Sequence, residues 1–283
     1  MKSQKSYIDE GSCLYLIPTP IGNLEDMTFR SIQILKDVDY IFCEDTRVTK
    51  VLLSHFNILT PLYNYHIFNE DVASQTILDY LGQGNNVALV SDAGNPCISD
   101  PGFLVSKEAI KAGYKVISVP GASASLTALI ASGLPCDKFY FYGFLNSKQS
   151  KRRKQLEICK DIKETIIYYE APHRIMITLQ DMLDVLGDRE IVIGRELTKR
   201  YEEYIRGNIS DILAKYTAFK GEMVIIVKGS DMDSNIMELN ELTIQEHFDY
   251  YNEQLENEKE AMKKVAKDRK ITKSEVYKEI KVK

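Results

Sequence analysis

The sequence predicts an α/β fold: two αβα lobes built on mostly parallel sheets, followed by a small C-terminal helical domain. Two patterns carry this expectation. Short, continuously apolar runs alternate with longer segments of helical period, and the composition changes abruptly after Lys228-Gly229. Unbroken rather than alternating hydrophobicity marks strands buried on both faces, as parallel strands are.

The predicted strands are Leu14–Ile17, Tyr40–Cys43, Val87–Val90, Val116–Val119, Phe139–Phe144, Ile166–Tyr169, Ile191–Ile193 and Val224–Val227. Between them the helical period appears at Phe29–Val38, Val72–Leu81, Phe103–Ala112, Leu126–Ala131 and Ile175–Leu186. Strand and helix in alternation read as α/β. Pro120-Gly121 and Gly133-Leu134-Pro135 bracket one short helix and mark the lobe boundary. The expected organisation is an extension over 1–12, lobes over 13–120 and 121–230, and a helix-turn-helix-like tail over 231–283. In the tail, Thr243-x-x-Glu246 and Thr272-x-x-Glu275 are capping-box patterns, each ahead of an amphipathic run. Met262, Val265 and Ala266 form a further apolar stripe.

Charge and cysteine content exclude several classes. Five scattered cysteines without a C-x-x-C pair exclude a disulfide framework and a thiolate zinc site, and read as reduced, buried thiols. The N-terminal stretch has no apolar core of signal-peptide length, and no run approaches the ~20 apolar residues that cross a bilayer. The expected location is therefore the cytoplasm, without a membrane partner. A net charge of −5 means that any nucleic acid must be held by local basic patches. Two exist. Lys148, Lys151, Arg152, Arg153 and Lys154 lie in one stretch without an acid, and the tail from Lys259 to Lys283 has ten basic against four acidic residues. Phosphate contact follows as an expectation.

Ligands of parallel sheets collect at the carboxyl ends of strands, so the loops there carry the chemistry. Five are rich in Pro, Gly and charge: Pro18–Asp26, Glu44–Arg47, Ser91–Gly102, Pro120–Ala124 and Glu170–Arg174. A single such loop needs no more explanation than a turn, but five at one end of successive strands do. There is no G-x-G-x-x-G after a strand, no P-loop and no G-x-S-x-G elbow, which disfavours NAD enzymes, P-loop NTPases and serine hydrolases. His55, His66, His173 and His247 show no ligand spacing, and no metal site is predicted. Ser123 stands where a helix begins and serves there as a cap or leaves free N–H groups for a polar ligand.

Taken in order, these loops resemble a known family. Thr19-Pro20-Ile21-Gly22-Asn23-Leu24, Glu44-Asp45-Thr46-Arg47, Ser91-Asp92-Ala93-Gly94, Ile98-Ser99-Asp100-Pro101-Gly102, Pro120-Gly121-x-Ser123-Ala124, Glu170-x-Pro172-His173-Arg174, Arg195-Glu196-Leu197-Thr198-Lys199 and Gly221-Glu222 resemble the rRNA ribose-methylating members of the tetrapyrrole methylase superfamily. The resemblance spans about Leu14 to Lys228, and the helical tail is similar to that family's small C-terminal domain. Asn95 stands where threonine is familiar, and Ala122 where proline is common.

The resemblance implies a homodimer that binds S-adenosylmethionine between two α/β lobes. It also implies methylation of the ribose 2′-hydroxyl of a cytidine in the decoding centre of 16S rRNA, with the small ribosomal subunit as partner. By position, cofactor contacts fall to Pro20, Asp92, Ala93, Gly94, Ile98, Ser123, Ala124, Glu170, Ala171, Leu197, Gly221, Glu222 and Met223. For catalysis the candidates are Glu170, Asp100, His173, Arg174 and Lys199: Glu170 or Asp100 meeting the nucleophile, Arg174 or Lys199 holding phosphate. Arg47, Lys148, Lys151, Arg152, Arg153 and Lys154 are the RNA-binding candidates, Arg47 equally able to orient the acids. Two other readings remain open: carbon methylation of a tetrapyrrole precursor, and a non-catalytic RNA-binding assembly factor.

Overall fold

A computed structural model describes residues 3–8, 10–230, 239–255, 257–269 and 271–281. The expected domain start at 231 and the basic Lys270 and Lys283 lie outside the described residues. The chain divides into two compact units, one of Met1–Cys159 with Thr165–Lys228 and one of Lys160–Glu164 with Gly229–Lys283.

The larger unit holds two five-stranded sheets. The first consists of β1 (Cys13–Ile17), β2 (Tyr40–Cys43), β3 (Leu62–Asn64), β4 (Val87–Val90) and β5 (Lys115–Ser118), in the order β3-β2-β4-β1-β5. Every pairing in it is parallel. Helices α1 (Phe29–Asp37), α2 (Thr46–His55), α3 (Glu70–Gly82) and α4 (Phe103–Ala112) connect its strands. Ile17, Leu35, Ile41, Leu53 and Val90 build the core on one face, and Leu14, Phe42, Ile77, Leu89 and Val105 that on the other.

The second sheet departs from the expectation. β6 (Phe139–Phe144), β7 (Thr165–Glu170), β8 (Glu190–Arg195), β9 (Glu203–Asn208) and β10 (Met223–Val227) run in the order β6-β7-β10-β8-β9. Only β6 and β7 are parallel; the other three pairings are antiparallel. Ile167, Val192 and Ile226 are nonetheless buried in continuous apolar strands. Unbroken hydrophobicity reports burial on both faces, and here it does not report strand direction. Helix α5 (Ala124–Ser132) lays Ala128 and Leu129 against this second sheet. α6 (Gln149–Cys159), α7 (Ile175–Leu186) and α8 (Ile209–Lys215) complete the unit.

The smaller unit contains α9 (Ile244–Leu255), α10 (Glu258–Asp268) and α11 (Lys273–Lys281) around Phe248, Tyr251, Met262, Val265 and Val276. Both capping boxes form. Thr243 Oγ1 accepts from the Glu246 amide at 3.2 Å while Glu246 Oε2 accepts from the Thr243 amide at 2.9 Å, and Thr272 and Glu275 repeat the exchange.

All five cysteines are free. Cys13, Cys43 and Cys159 are buried as expected, but Cys97 is only partly buried and Cys136, in the surface connection between α5 and β6, is exposed.

Candidate active site

The carboxyl ends of β1, β2, β4, β6 and β7 open onto one cleft of about 440 Å³. Its walls come from both sheets: Glu44 and the 92–100 loop on one side, and Phe144, Tyr169–Pro172, Leu197 and Glu222–Val224 on the other, with Ser123 and Ala124 at the start of α5.

Short polar contacts fix these loops. Thr19 and Gly94 exchange backbone hydrogen bonds at 2.9 and 3.0 Å, zipping the loop after β1 to the loop after β4. Ser91 Oγ donates to the Gly94 carbonyl at 2.7 Å, and Asn95 Nδ2 to the Ala122 carbonyl at 3.0 Å. The position where threonine is familiar therefore ties the loop after β4 to the loop after β5. Gly22 sits where a Cβ would collide with Lys199 Cγ and Thr198 Oγ1, so the loop after β1 touches the 197–199 loop of the other lobe.

Cys97, Ser99, Glu196 and Thr198 are non-glycine residues with positive φ, at 70°, 64°, 50° and 65°, and all four belong to loops bordering the cleft. Such conformations persist where surrounding contacts enforce them, and they concentrate at ligand clamps.

Electrostatically the cleft has an acidic side. Burial, then the neighbouring Glu44 and Asp92 charges, push the Asp100 carboxyl up to about 6. Burial and Asp92 likewise raise Glu44. Asp100 makes no hydrogen bond or ion pair among the described residues, so its carboxylate is open to a ligand. Across the cleft, Ser123 does not cap α5: its hydroxyl meets Ser125 Oγ at 3.1 Å, and the first N–H groups of the helix have no side-chain acceptor. The arrangement suits an elongated ligand with a cationic centre near Asp100 and an anionic group at α5.

The model of the family Tetrapyrrole (Corrin/Porphyrin) Methylases matches residues 13–213, which takes in the whole first sheet, strands β6–β9 of the second and most of the cleft lining. The chain belongs to this family. Among its relatives, the ribosomal RNA small subunit methyltransferase I of Bacillus subtilis is 50% identical over 269 residues, covering 93% of this chain and 92% of that protein. The protein of the same name from Vibrio cholerae is 49% identical over 236 residues, 81% of each chain. Two solved structures share the methylase fold at low identity. Diphthine synthase has a TM-score of 0.59 at 12% identity, covering 77% of this chain and 90% of that one. Cobalt precorrin-4 methyltransferase has a TM-score of 0.56 at 16% identity, covering 76% and 94%.

Against this methylase frame, the sequence-predicted residues separate clearly. Asp92, Ala93, Gly94, Ile98, Ser123, Ala124, Glu170, Ala171, Leu197, Glu222 and Met223 line the cleft, as does Asp100. Pro20 and Gly221 do not. Gly221, at φ 84°, packs its backbone against the Glu196 side chain, which itself accepts from the Glu222 amide at 3.1 Å. It supports the wall rather than forming it.

Several side chains are already occupied. Glu170 is 3% exposed, and its carboxylate accepts from the Ala171 amide at 2.8 Å, Thr178 Oγ1 at 2.6 Å and Arg174. Arg174 also donates to the Leu145 carbonyl at 2.7 Å. Glu170 therefore positions the Ala171-Pro172 turn, and its carboxylate and the Arg174 Nη2 are already engaged within the protein. Lys199 bridges Glu196 and Glu222 at 3.1 Å each, and His173 is exposed beyond the cleft lining.

The basic stretch requires a correction. It is helical, and Arg152 is 1% exposed, with Nη2 2.6 Å from Asp181 Oδ2 and Nη1 donating to the Ser147 carbonyl at 3.0 Å. Arg152 is a buried ion-pair partner and not an RNA contact. Arg153 pairs with Asp181 and Asp184. Lys148, Lys151 and Lys154 are exposed, with no side-chain partner among the described residues. Among the described residues no three His, Cys, Asp or Glu side chains gather as metal ligands, and no helix is long and apolar enough to cross a membrane.

Sequence reasoning misses several lining residues, notably Ser99, Phe144 and Tyr169. Phe144 and Tyr169 are the last or near-last residues of their strands, with rings 5.4 Å apart. The signal that finds them is strand-end position, because the side chain before a loop borders the same cleft as the loop.

Proposed function

We propose that this protein methylates ribosomal RNA with S-adenosylmethionine as methyl donor. The acceptor in this reading is the ribose 2′-hydroxyl of a cytidine in the decoding centre of 16S rRNA. The observation that carries the reading is half-identity over nine-tenths of the chain to a protein named for small-subunit rRNA methylation. A cytoplasmic location belongs to this reading, because that is where such a substrate is found. A homodimer belongs to the same reading, and the exposed Phe139 and Tyr140 on edge strand β6 supply apolar surface for it.

The cleft residues fit the donor's chemistry. Ile21, Ile98, Leu197, Met223 and Val224 supply apolar surface for an adenine, Asp92, Asp100 and Glu44 negative charge for a cation, and the start of α5 free N–H groups for a carboxylate. S-adenosylmethionine, when bound, supplies an electrophilic methyl on a sulfonium.

The chain's own contribution is alignment and proton handling. The tied loops and the Glu170–Arg174 pin hold the walls, which orients the reactants and limits water. Asp100, mostly ionised at neutral pH, would accept the proton of the attacking hydroxyl at a carboxylate oxygen. Lys148, Lys151 and Lys154 engage phosphates along the RNA.

The deciding experiment is incubation of the pure protein with radiolabelled S-adenosylmethionine and either 16S transcript or isolated small subunits. The expected product is label at one alkali-resistant linkage. Label in a tetrapyrrole precursor, or in nothing, would overturn the reading.

A further inference from the structure

A second depression, of about 770 Å³, lies on the first lobe between α2 and the short edge strand β3. Its walls are Thr46, Arg47, Lys50 and Ser54 on α2 and Leu59, Thr60, Tyr63 and Asn64 opposite, over a floor of Leu53, Ile58 and Leu62. Arg47, Lys50 and Ser54 stand three and four residues apart and so share one helix face. No carboxylate lines the depression, although acids outnumber bases by five in the whole chain.

Three features match a nucleotide. Lys50 is exposed and has no partner among the described residues. Arg47 is 90% exposed and, among the described residues, meets only Asp45, a surface pairing that phosphate can replace. Leu59 is 96% exposed beside the polar Thr60 and Asn64, and among the described residues no strand lies beyond β3 to cover its outer backbone groups.

The groove also continues from the catalytic cleft. Glu44 lines the cleft and Thr46 lines the groove, so their Cα atoms are at most about 7.6 Å apart, two trans-peptide steps. The Asp45 amide between them donates to Asp92 Oδ1, a cleft residue, at 3.0 Å.

We propose that this groove is a second RNA subsite, which holds the nucleotide adjacent to the one presented to the cleft. Lys50 and Arg47 grip its phosphate, and its base packs on Leu59. The inference rests on the rRNA-methylating reading and names where that substrate's flanking strand runs.

The test measures methyl transfer to a 16S transcript and to assembled small subunits, with Lys50→Glu, Arg47→Glu and Leu59→Ala. The reference is Lys36→Glu, which makes the same charge change near the C-terminal end of α1, at the opposite ends of the strands. The groove variants should raise KM for RNA on the order of tenfold, leave S-adenosylmethionine affinity by calorimetry unchanged, and lower the salt slope by about one for each lost cation. Groove variants indistinguishable from Lys36→Glu overturn the subsite while leaving the methylation reading intact. An effect on assembled subunits alone would mean that the groove takes a ribosomal protein, and also overturns it. A wild-type protein that methylates neither substrate removes both readings together.

Discussion

Glu170 and Arg174 lock each other at the start of α7, with Nε 3.0 Å from Oε1 and Nη2 3.1 Å from Oε2. One residue ends β7 and the other stands at the position just before the next helix, so the turn between them is held from both ends. That turn carries Ala171 and Pro172 into the cleft wall. Removing one partner of a buried pair strands the other charge. Glu170→Gln should therefore destabilise the larger unit by about 3 kcal/mol, read as a lower midpoint in urea. Unchanged stability would refute the pin.

Arg152 and Asp181, each 1% exposed, join α6 to α7. Arg152→Ala should cost about 3–5 kcal/mol, although Arg153 and Gln149 still reach Asp181. Lys151→Glu and Lys154→Glu, on the exposed face of the same helix, should leave stability within about 0.5 kcal/mol and weaken RNA binding. Denaturation curves and an RNA titration on the same variants separate the two effects. An Arg152→Ala protein as stable as wild type but weak on RNA would restore the phosphate-contact expectation.

The sequence already betrays the strands buried on both faces, because Val87–Val90 and Val224–Val227 need no partner to reveal their burial. β3 and β9 escape detection for the converse reason. Each is an edge strand, and Leu62–Asn64 has only three residues while Glu203–Asn208 is largely polar. Helix α2 is hidden by its own cap, since Asp45 and Arg47 look like loop charge until the Arg47 amide is seen donating to Asp45 at 2.8 Å. Most cofactor candidates are legible as strand-end loops. Whether a charge there is free is not, because Arg152 finds its carboxylate 29 residues away in Asp181, and Arg174, paired with Glu170 four residues before it, also reaches the Leu145 carbonyl 29 residues back.

Asn95 tests the loop tie directly. Asn95→Ala removes the hydrogen bond to the Ala122 carbonyl, worth about 1 kcal/mol, and loosens the loop that carries Asp92 and Asp100. Calorimetry should show S-adenosylmethionine binding weakened on the order of fivefold, while Asn95→Thr, keeping a donor, should recover part of it. Equal affinity in all three proteins would assign the bond to folding alone.

Asp100 makes the sharpest prediction, because its ionisation bears on rate and on stability with opposite signs. As proton acceptor it works only when charged, so kcat/KM should fall as pH drops below about 6 and level off above. For stability, a carboxyl raised from 3.8 to about 6 in the folded state favours folding fully below pH 3.8, and that contribution is lost as pH rises through about 6. Asp100→Asn should therefore match wild type in stability near pH 3.5 and exceed it at pH 7. Its turnover should drop by about 10²–10⁴ and lose the acidic limb. If the variant instead kept both turnover and the pH limb, the proton would be leaving by another group, and Glu44, the other carboxylate raised in this cleft, would be the residue to substitute next.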